Sequence, residues 1–263
     1  MEPKTFVVPL DGSQYSERAL PVAAALAERI GGGLLLVTAE SFGPVGAGMY
    51  LDQVAERGFS CPVETVAYPD RVPIRAILGA GNAAENRVVC MTTHGRGRIA
   101  WTVLGTIAEH IIRRSPRPLI LVGPHCRPDT IVSSAEFLVA SDGDEHADEL
   151  AANAATWSEM LGLNRRVAVV LHPLDIESAQ HSARPAVPVA AEYGIDSDAL
   201  ILRRDEYPAG ALVNIAEDLP AALIAMGCHG RYGMQRVALG SVTMSVVQHA
   251  PCPVLAVQPG ERA

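Results

Sequence analysis

Aromatic residues make up only 5% of the 263-residue chain, so its interior cannot be built around large rings. No uninterrupted apolar run approaches the roughly 20 residues that a membrane span needs. The first residues, Met1 to Ser13, enter a strand-like run without the basic start and long apolar stretch of a signal peptide. A soluble, cytoplasmic protein is therefore expected. The five cysteines (Cys61, Cys90, Cys126, Cys228, Cys252) are widely spaced and contain no CxxC. That argues against a disulfide framework or a zinc site and makes reduced thiols the expectation. An excess of positive charge is also lacking. The formal net charge is −8, and cutting after Thr130 leaves 13 Lys+Arg against 12 Asp+Glu before the cut and 8 against 17 after it. Neither half offers the basic stripe that nucleic acid requires. No GxxxxGK run is present, which disfavours a P-loop NTPase.

What the chain does contain is aliphatic: 49% of residues are hydrophobic, enough to bury a proper core. It also contains itself twice. Phe6–Ser13 matches Phe137–Asp144 at an offset of 131 residues. His94-Gly95-Arg96 with Leu104-Gly105-Thr106 matches His229-Gly230-Arg231 with Leu239-Gly240-Ser241 at an offset of 135, as Ser115–Val122 does Ala250–Val257. Three blocks in one order at nearly constant offset mark a duplication. The expected domains are 1–127 and 134–260, joined by a linker near Gly123–Ala135 that carries Pro124, Pro128 and Ser133-Ser134.

Hydrophobic periodicity in the first copy predicts strands at 5–10, 34–39, 63–67, 87–92 and 119–122. Helices are predicted at 16–30, stopped by Gly31-Gly32-Gly33, and at 49–57, 73–82 and 103–114. The second copy predicts strands at 136–141, 166–171, 199–203, 221–226 and 254–257, with helices at 147–161, 209–218 and 242–249. Pro173 to Ser197 reads as an irregular loop. Alternating strands and helices imply an α/β fold of two tandem doubly wound domains, each a roughly five-stranded parallel sheet with helices on both faces.

The densest chemistry lies in Ala225–Thr243, which runs Gly227, two residues, Gly230, nine residues, then Gly240-Ser241. Glycines let the backbone turn sharply and admit a ligand close to the amides. Ser241 opens a periodic run whose helix N-terminus would favour an anion. Asp11 and Asp142 each follow the first strand of a copy, and the glycine loops each follow the fourth. Both therefore project to the carboxyl edge, where ligands of doubly wound sheets bind. A carboxylate at one end and an anion cradle at the other is the polarity of a nucleotide site.

On these residues the chain resembles the universal stress protein family, as a tandem two-domain member of its ATP-binding branch. The Asp-Gly turns after each first strand, the Pro-x-Pro closing strands and the pattern Met226-Gly227-Cys228-His229-Gly230 with Gly240–Thr243 carry the likeness, which covers both copies nearly end to end. It implies an adenine nucleotide alpha hydrolase-like fold and a site for ATP, ADP or AMP, possible Mg²⁺ arriving with the nucleotide. In the second copy the resemblance places adenine and ribose near Ala140, Asp142 and Pro173. It places the phosphates against Gly227, Gly230, Gly240, Ser241, Val242 and Thr243, with Met226 and His229 also in the nucleotide site. In the first copy the matching residues are Pro9, Asp11, Thr38, Met91, Gly95, Gly105 and Thr106. This copy departs from the pattern, with Thr92 in place of the first glycine and Ala108 in place of Thr243, and is expected to be the weaker site. Pro173 lacks an N–H that an adenine edge could use.

Plainer roles stand beside these. Asp11 and Asp142 also suit the turn and cap chemistry of a following helix. His94 and His229 have no nucleophile and orienting acid placed around them, and His172 and His181 lack metal-ligand spacing. His110 and His249 suit helix surfaces or ends. Neither catalytic nor metal-binding residues are assigned. The expected role is adenine nucleotide binding as a regulatory ligand in stress response, mainly through the second domain. The alternatives are a weak ATP-hydrolysing enzyme or an interaction module with vestigial sites. Pairing of the two domains and a homodimer are both expected.

Overall fold

The computed structural model describes residues 4–40, 46–69, 72–93, 105–141, 147–171, 199–228 and 239–258. The chain divides into two compact units, Met1–Pro124 and His125–Ala263. In the first unit the order is β1 (Thr5–Pro9), α1 (Gln14–Glu17), α2 (Ala19–Ile30), β2 (Gly33–Ala39), α3 (Ala47–Ala55), β3 (Val63–Tyr68), α4 (Pro73–Asn82), β4 (Arg87–Thr92), α5 (Thr106–Arg114) and β5 (Leu119–Val122). The second contains α6 (Asp129–Ser133), β6 (Glu136–Ala140), α7 (Ala147–Leu161), β7 (Asn164–Leu171), β8 (Leu200–Arg204), α8 (Pro208–Asp218), β9 (Leu223–Gly227), α9 (Ser241–His249) and β10 (Val254–Val257).

Strand order is β3-β2-β1-β4-β5 in the first unit and β8-β7-β6-β9-β10 in the second, the same topology twice. The described pairings within each unit are parallel. Right-handed crossovers then send the helices to opposite faces on either side of the reversal, giving a doubly wound α/β layer. Burial explains why the central strands read as unbroken apolar runs. Phe6, Val7 and Val8 of β1 and Phe137 and Val139 of β6 are fully covered, as expected of parallel strands packed on both sides.

Helix punctuation is duplicated as well. Gly31 and Gly162 take φ of +63° and +62°, a region open to glycine at little cost. Each makes the same pair of bonds. Gly31 N donates to Glu28 O and Gly32 N to Ala27 O; Gly162 N donates to Glu159 O and Leu163 N to Ser158 O. These Schellman-type closures satisfy carbonyls that a helix end would leave exposed. Pro73 and Pro208 open α4 and α8, where the missing N–H has no acceptor to lose.

Three expectations change. The helix expected over 16–30 is two pieces, because Pro21 has no N–H for the Glu17 carbonyl and its ring would clash there. The chain restarts at Ala19, leaving α1 capped by Ser13, whose Oγ accepts from Ser16 N at 3.2 Å. The helix expected from Val103 begins at Thr106, since Gly105 is extended (φ −64°, ψ 142°). The linker holds a turn of helix, α6, with Ile131 fully buried and Arg127 N bonded to Pro251 O at 2.7 Å. The segment from Pro173 to Ser197 lies outside the described residues.

Candidate functional site

The reversal of strand order falls between β6 and β9 in the second unit, where Ala140 stands opposite Met226. Beyond Gly227 the Cys228 N–H bonds to Val257 O at 2.9 Å, and the Cys228 carbonyl accepts from Gly240 N at 2.7 Å. The chain therefore leaves β9 and returns beside its own departure point. Gly240 is the N-cap of α9, extended at φ −60° and ψ 155°, and Met244 N donates to its carbonyl at 2.9 Å. Its N-cap is a glycine, which has no side chain to cap this end. The first amides, those of Ser241, Val242 and Thr243, have no intrahelical acceptor, and Ser241 is exposed. The result is a glycine-capped helix N-terminus held at the carboxyl end of β9, a place with affinity for anions.

Thr243 is buried, and its Oγ1 donates to the Gly227 carbonyl at 2.9 Å. Its hydroxyl proton thus ties α9 to β9, while its amide stays in the group at the helix end. Cys228 is also buried, and burial pushes its thiol up to about 12. A thiol protonated at neutral pH is a poor redox sensor, so a spacer role fits it. Asp142, Pro173, His229 and Gly230 lie outside the described residues.

The first unit repeats the scaffold with other side chains. Gly105 N bonds to Thr93 O at 3.0 Å, the counterpart of the Gly240–Cys228 bond, and Glu109 N donates to Gly105 O at 2.9 Å. Gly105 caps α5 without a side-chain bond. Ala108 occupies the place of Thr243 and is buried. Thr92, in the place of Gly227, lines a shallow recess with Tyr15, Arg18, Thr93 and Val122. Pro9 ends β1 and Met91 is buried in β4. Gly95 lies outside the described residues.

Asp11 makes the local turn that the plainer reading allows. Its Oδ1 accepts from Ser13 N at 2.9 Å, and its own N–H bonds to Ser16 Oγ at 3.3 Å. Leu10 N, just before this turn, bonds to Val37 O of β2, and Thr38 is the next residue, one short of that strand's end. Its Oγ1 is buried without a hydrogen-bond partner among the described residues, a desolvated group that costs roughly 1–3 kcal/mol if left so.

Sequence reading missed a cluster beside this turn. Tyr50 OH donates to Glu17 Oε1 at 2.8 Å, and Arg57 reaches both carboxylate oxygens of Glu17 at 2.7 and 3.3 Å. The Arg57 bond, more than any other influence, holds the Glu17 carboxyl below its ordinary range. Burial chiefly, then Glu17, pushes the Tyr50 phenol up, and Asp11 adds to that rise. The phenol is therefore within electrostatic reach of Asp11. Residues 33 and 40 positions apart leave no periodic signal that would have flagged the cluster. Among the described residues no group of three or more His, Cys, Asp or Glu side chains is placed to hold a metal ion, and no helix is long and apolar enough to cross a membrane.

Comparison with known proteins settles the family. The universal stress protein family model matches residues 136–258. A universal stress protein of Thermus aquaticus is 33% identical over 135 residues, covering 46% of this chain and 97% of that protein. The chain belongs to the universal stress protein family. A second universal stress protein, from Methanocaldococcus jannaschii, is 37% identical over 82 residues, which span 31% of this chain and about half (47%) of that relative. The crystal structure of a universal stress protein from Archaeoglobus fulgidus has the same fold, with a TM-score of 0.67 and 20% identity, covering 99% of this chain and 100% of that one. The two-unit architecture of this universal stress protein is thus matched over its whole length.

Proposed function

We propose that this universal stress protein binds ATP, or another adenine nucleotide, as a regulatory ligand, chiefly through its second domain (134–260). The observation that carries the reading is the N-terminus of α9, which has a glycine N-cap and is pinned to the end of β9 by Gly240 N–Cys228 O and Thr243 Oγ1–Gly227 O. Amides at a helix start bind phosphate without needing a lysine. Gly227, Gly240, Ser241, Val242 and Thr243 stand at that end; Gly230 would join them on the phosphates, while Ala140, Asp142 and Pro173 would meet the sugar and base. Mg²⁺ would enter with a triphosphate, since it is commonly held by substrate phosphates.

The first domain (1–127) is a weaker site in this proposal. Thr92 brings a Cβ and a hydroxyl where the second domain has Gly227, and Ala108 cannot make the Thr243 bond. Its Thr38 hydroxyl is nonetheless a group that a polar ligand edge would satisfy. Titration calorimetry of ATP into nucleotide-free protein tests both statements, with and without Mg²⁺. Loss of binding in Gly230→Val but not in Gly95→Val supports a working second domain. Silence from the unaltered protein overturns the proposal.

A further inference from the structure

None of the five cysteines is in a disulfide, but they are not equally placed. Cys90 and Cys228 are buried in β4 and at the end of β9. Cys126 is half-buried at the start of the second unit. Cys252 is buried in the Pro251-Cys252-Pro253 turn that leads into β10.

Residues 125–127 run against 249–252 through two separate contacts. The rings of His125 and His249 stack with centroids 6.1 Å apart and planes 9° from parallel. One step further on, Arg127 N donates to Pro251 O at 2.7 Å. That bond joins the 126–127 peptide group to the 251–252 peptide group, so Cys126 and Cys252 supply one Cα each to the bonded groups. That bond sets the two cysteine backbones side by side, and a disulfide needs Cα atoms about 4.4–6.8 Å apart. Cys252 also feels the Cys126 thiol: burial first, and then Cys126, raises its proton affinity.

We propose that Cys126 and Cys252 are an oxidisable thiol pair, converted by a hydroperoxide to a disulfide inside the second unit. Cys126, the more exposed partner, meets the oxidant first. Its thiolate attacks one peroxide oxygen, the O–O bond breaks, and the alcohol (water, for hydrogen peroxide) leaves as Cys126 becomes the sulfenic acid. The Cys252 sulfur then attacks the Cys126 sulfur. An S–S bond forms, the S–O bond breaks, and hydroxide leaves with the Cys252 proton as water. Two thiols lose two hydrogens, and the peroxide takes up both electrons. Burial raises the proton affinity of Cys252, so this second step is expected to run faster at higher pH. The four side chains His125, Cys126, His249 and Cys252 are not arranged to share a metal, and His249 Nδ1 already faces Ser245 O at 2.8 Å.

The test uses the full chain. Hydrogen peroxide is added, free thiols are alkylated under denaturing conditions, and unreduced peptides are mapped by mass spectrometry. The expected product is one intrachain peptide pair linked through Cys126 and Cys252, two hydrogens lighter and reversed by dithiothreitol, with Cys61, Cys90 and Cys228 alkylated. Cys126→Ser, at a half-buried position, is expected to abolish the link while leaving Cys252 alkylatable. Cys252→Ala is expected to drive Cys126 onward to the sulfinic acid. Full alkylation of both thiols after peroxide, over-oxidation of Cys126 without a link in the unaltered protein, or a link to another cysteine or between chains would each overturn the pairing.

Discussion

Thr243 and Gly227 are 16 positions apart in sequence and joined at 2.9 Å, the Thr243 hydroxyl donating to the Gly227 carbonyl. The bond fixes where α9 begins relative to the end of β9. Its counterpart is impossible in the first unit, where the two positions are Ala108 and Thr92.

Replacing Thr243 by Val keeps the side-chain volume and leaves the Gly227 carbonyl without that donor. Stability should fall by roughly 1–2 kcal/mol, the cost of a hydrogen bond lost at a buried group. Urea denaturation measures this. ATP affinity should fall with it, and an unchanged affinity would separate the bond from the site.

Gly227→Thr gives the second domain the residue that the first domain has. ATP binding is expected to weaken by tenfold or more, about 1.4 kcal/mol, with little change in the far-ultraviolet circular dichroism. Thr92→Gly combined with Ala108→Thr is the reciprocal change and should strengthen binding at the first domain in a Gly230→Val background. Equal calorimetric traces before and after the exchange would disprove the role given to these positions.

Thr38→Val removes a buried hydroxyl that lacks a partner among the described residues. The variant should be more stable than the parent by about 1 kcal/mol, since an unpaired buried polar group is replaced by an apolar one of similar size. Thermal melting reads the change. A lower melting temperature would mean that the hydroxyl has a partner after all.

The Glu17–Tyr50–Arg57 cluster has two pH signatures. Glu17 is held below its ordinary value of 4.5, chiefly by Arg57. Its stabilisation is thus present above that pH and lost as the pH falls through the lower folded value. Tyr50 is raised from 10.0 by burial and by Glu17, so its contribution is present below pH 10 and lost as the pH rises beyond it. Glu17→Gln should flatten the acid limb of a stability profile and Tyr50→Phe the alkaline limb. Exposures of 51% for the Arg57 side chain and 22% for Glu17 mean that solvent screening keeps the acid effect small.

Sequence alone revealed most of the scaffold because the duplication doubled each signal. The apolar runs at β1 and β6, the stop at Gly31 and the helix start at Ser241 all follow from local periodicity and backbone preference. Pro21 was visible too, yet the broken helix around Arg18 needed the i−4 carbonyl of Glu17 to be considered. The turn of helix at Asp129–Ser133 was hidden by prolines and serines that also read as linker. Its cause is tertiary: Ile131 is buried and Arg127 bonds to Pro251. In the site, glycine spacing located the helix end, but it could not show that the Thr243 hydroxyl turns inward. Nor could any local pattern bring Glu17, Tyr50 and Arg57 together, because α1 meets α3 and the turn after it only in the folded chain.

Because the duplicated units are one polypeptide, they are always made in equal number. In a homodimer of single-copy chains, a substitution such as threonine for glycine would strike both sites at once. Here the exchange at position 92 leaves position 227 untouched. Tandem fusion therefore frees each half from the symmetry that binds identical subunits, and the two sequences can diverge independently.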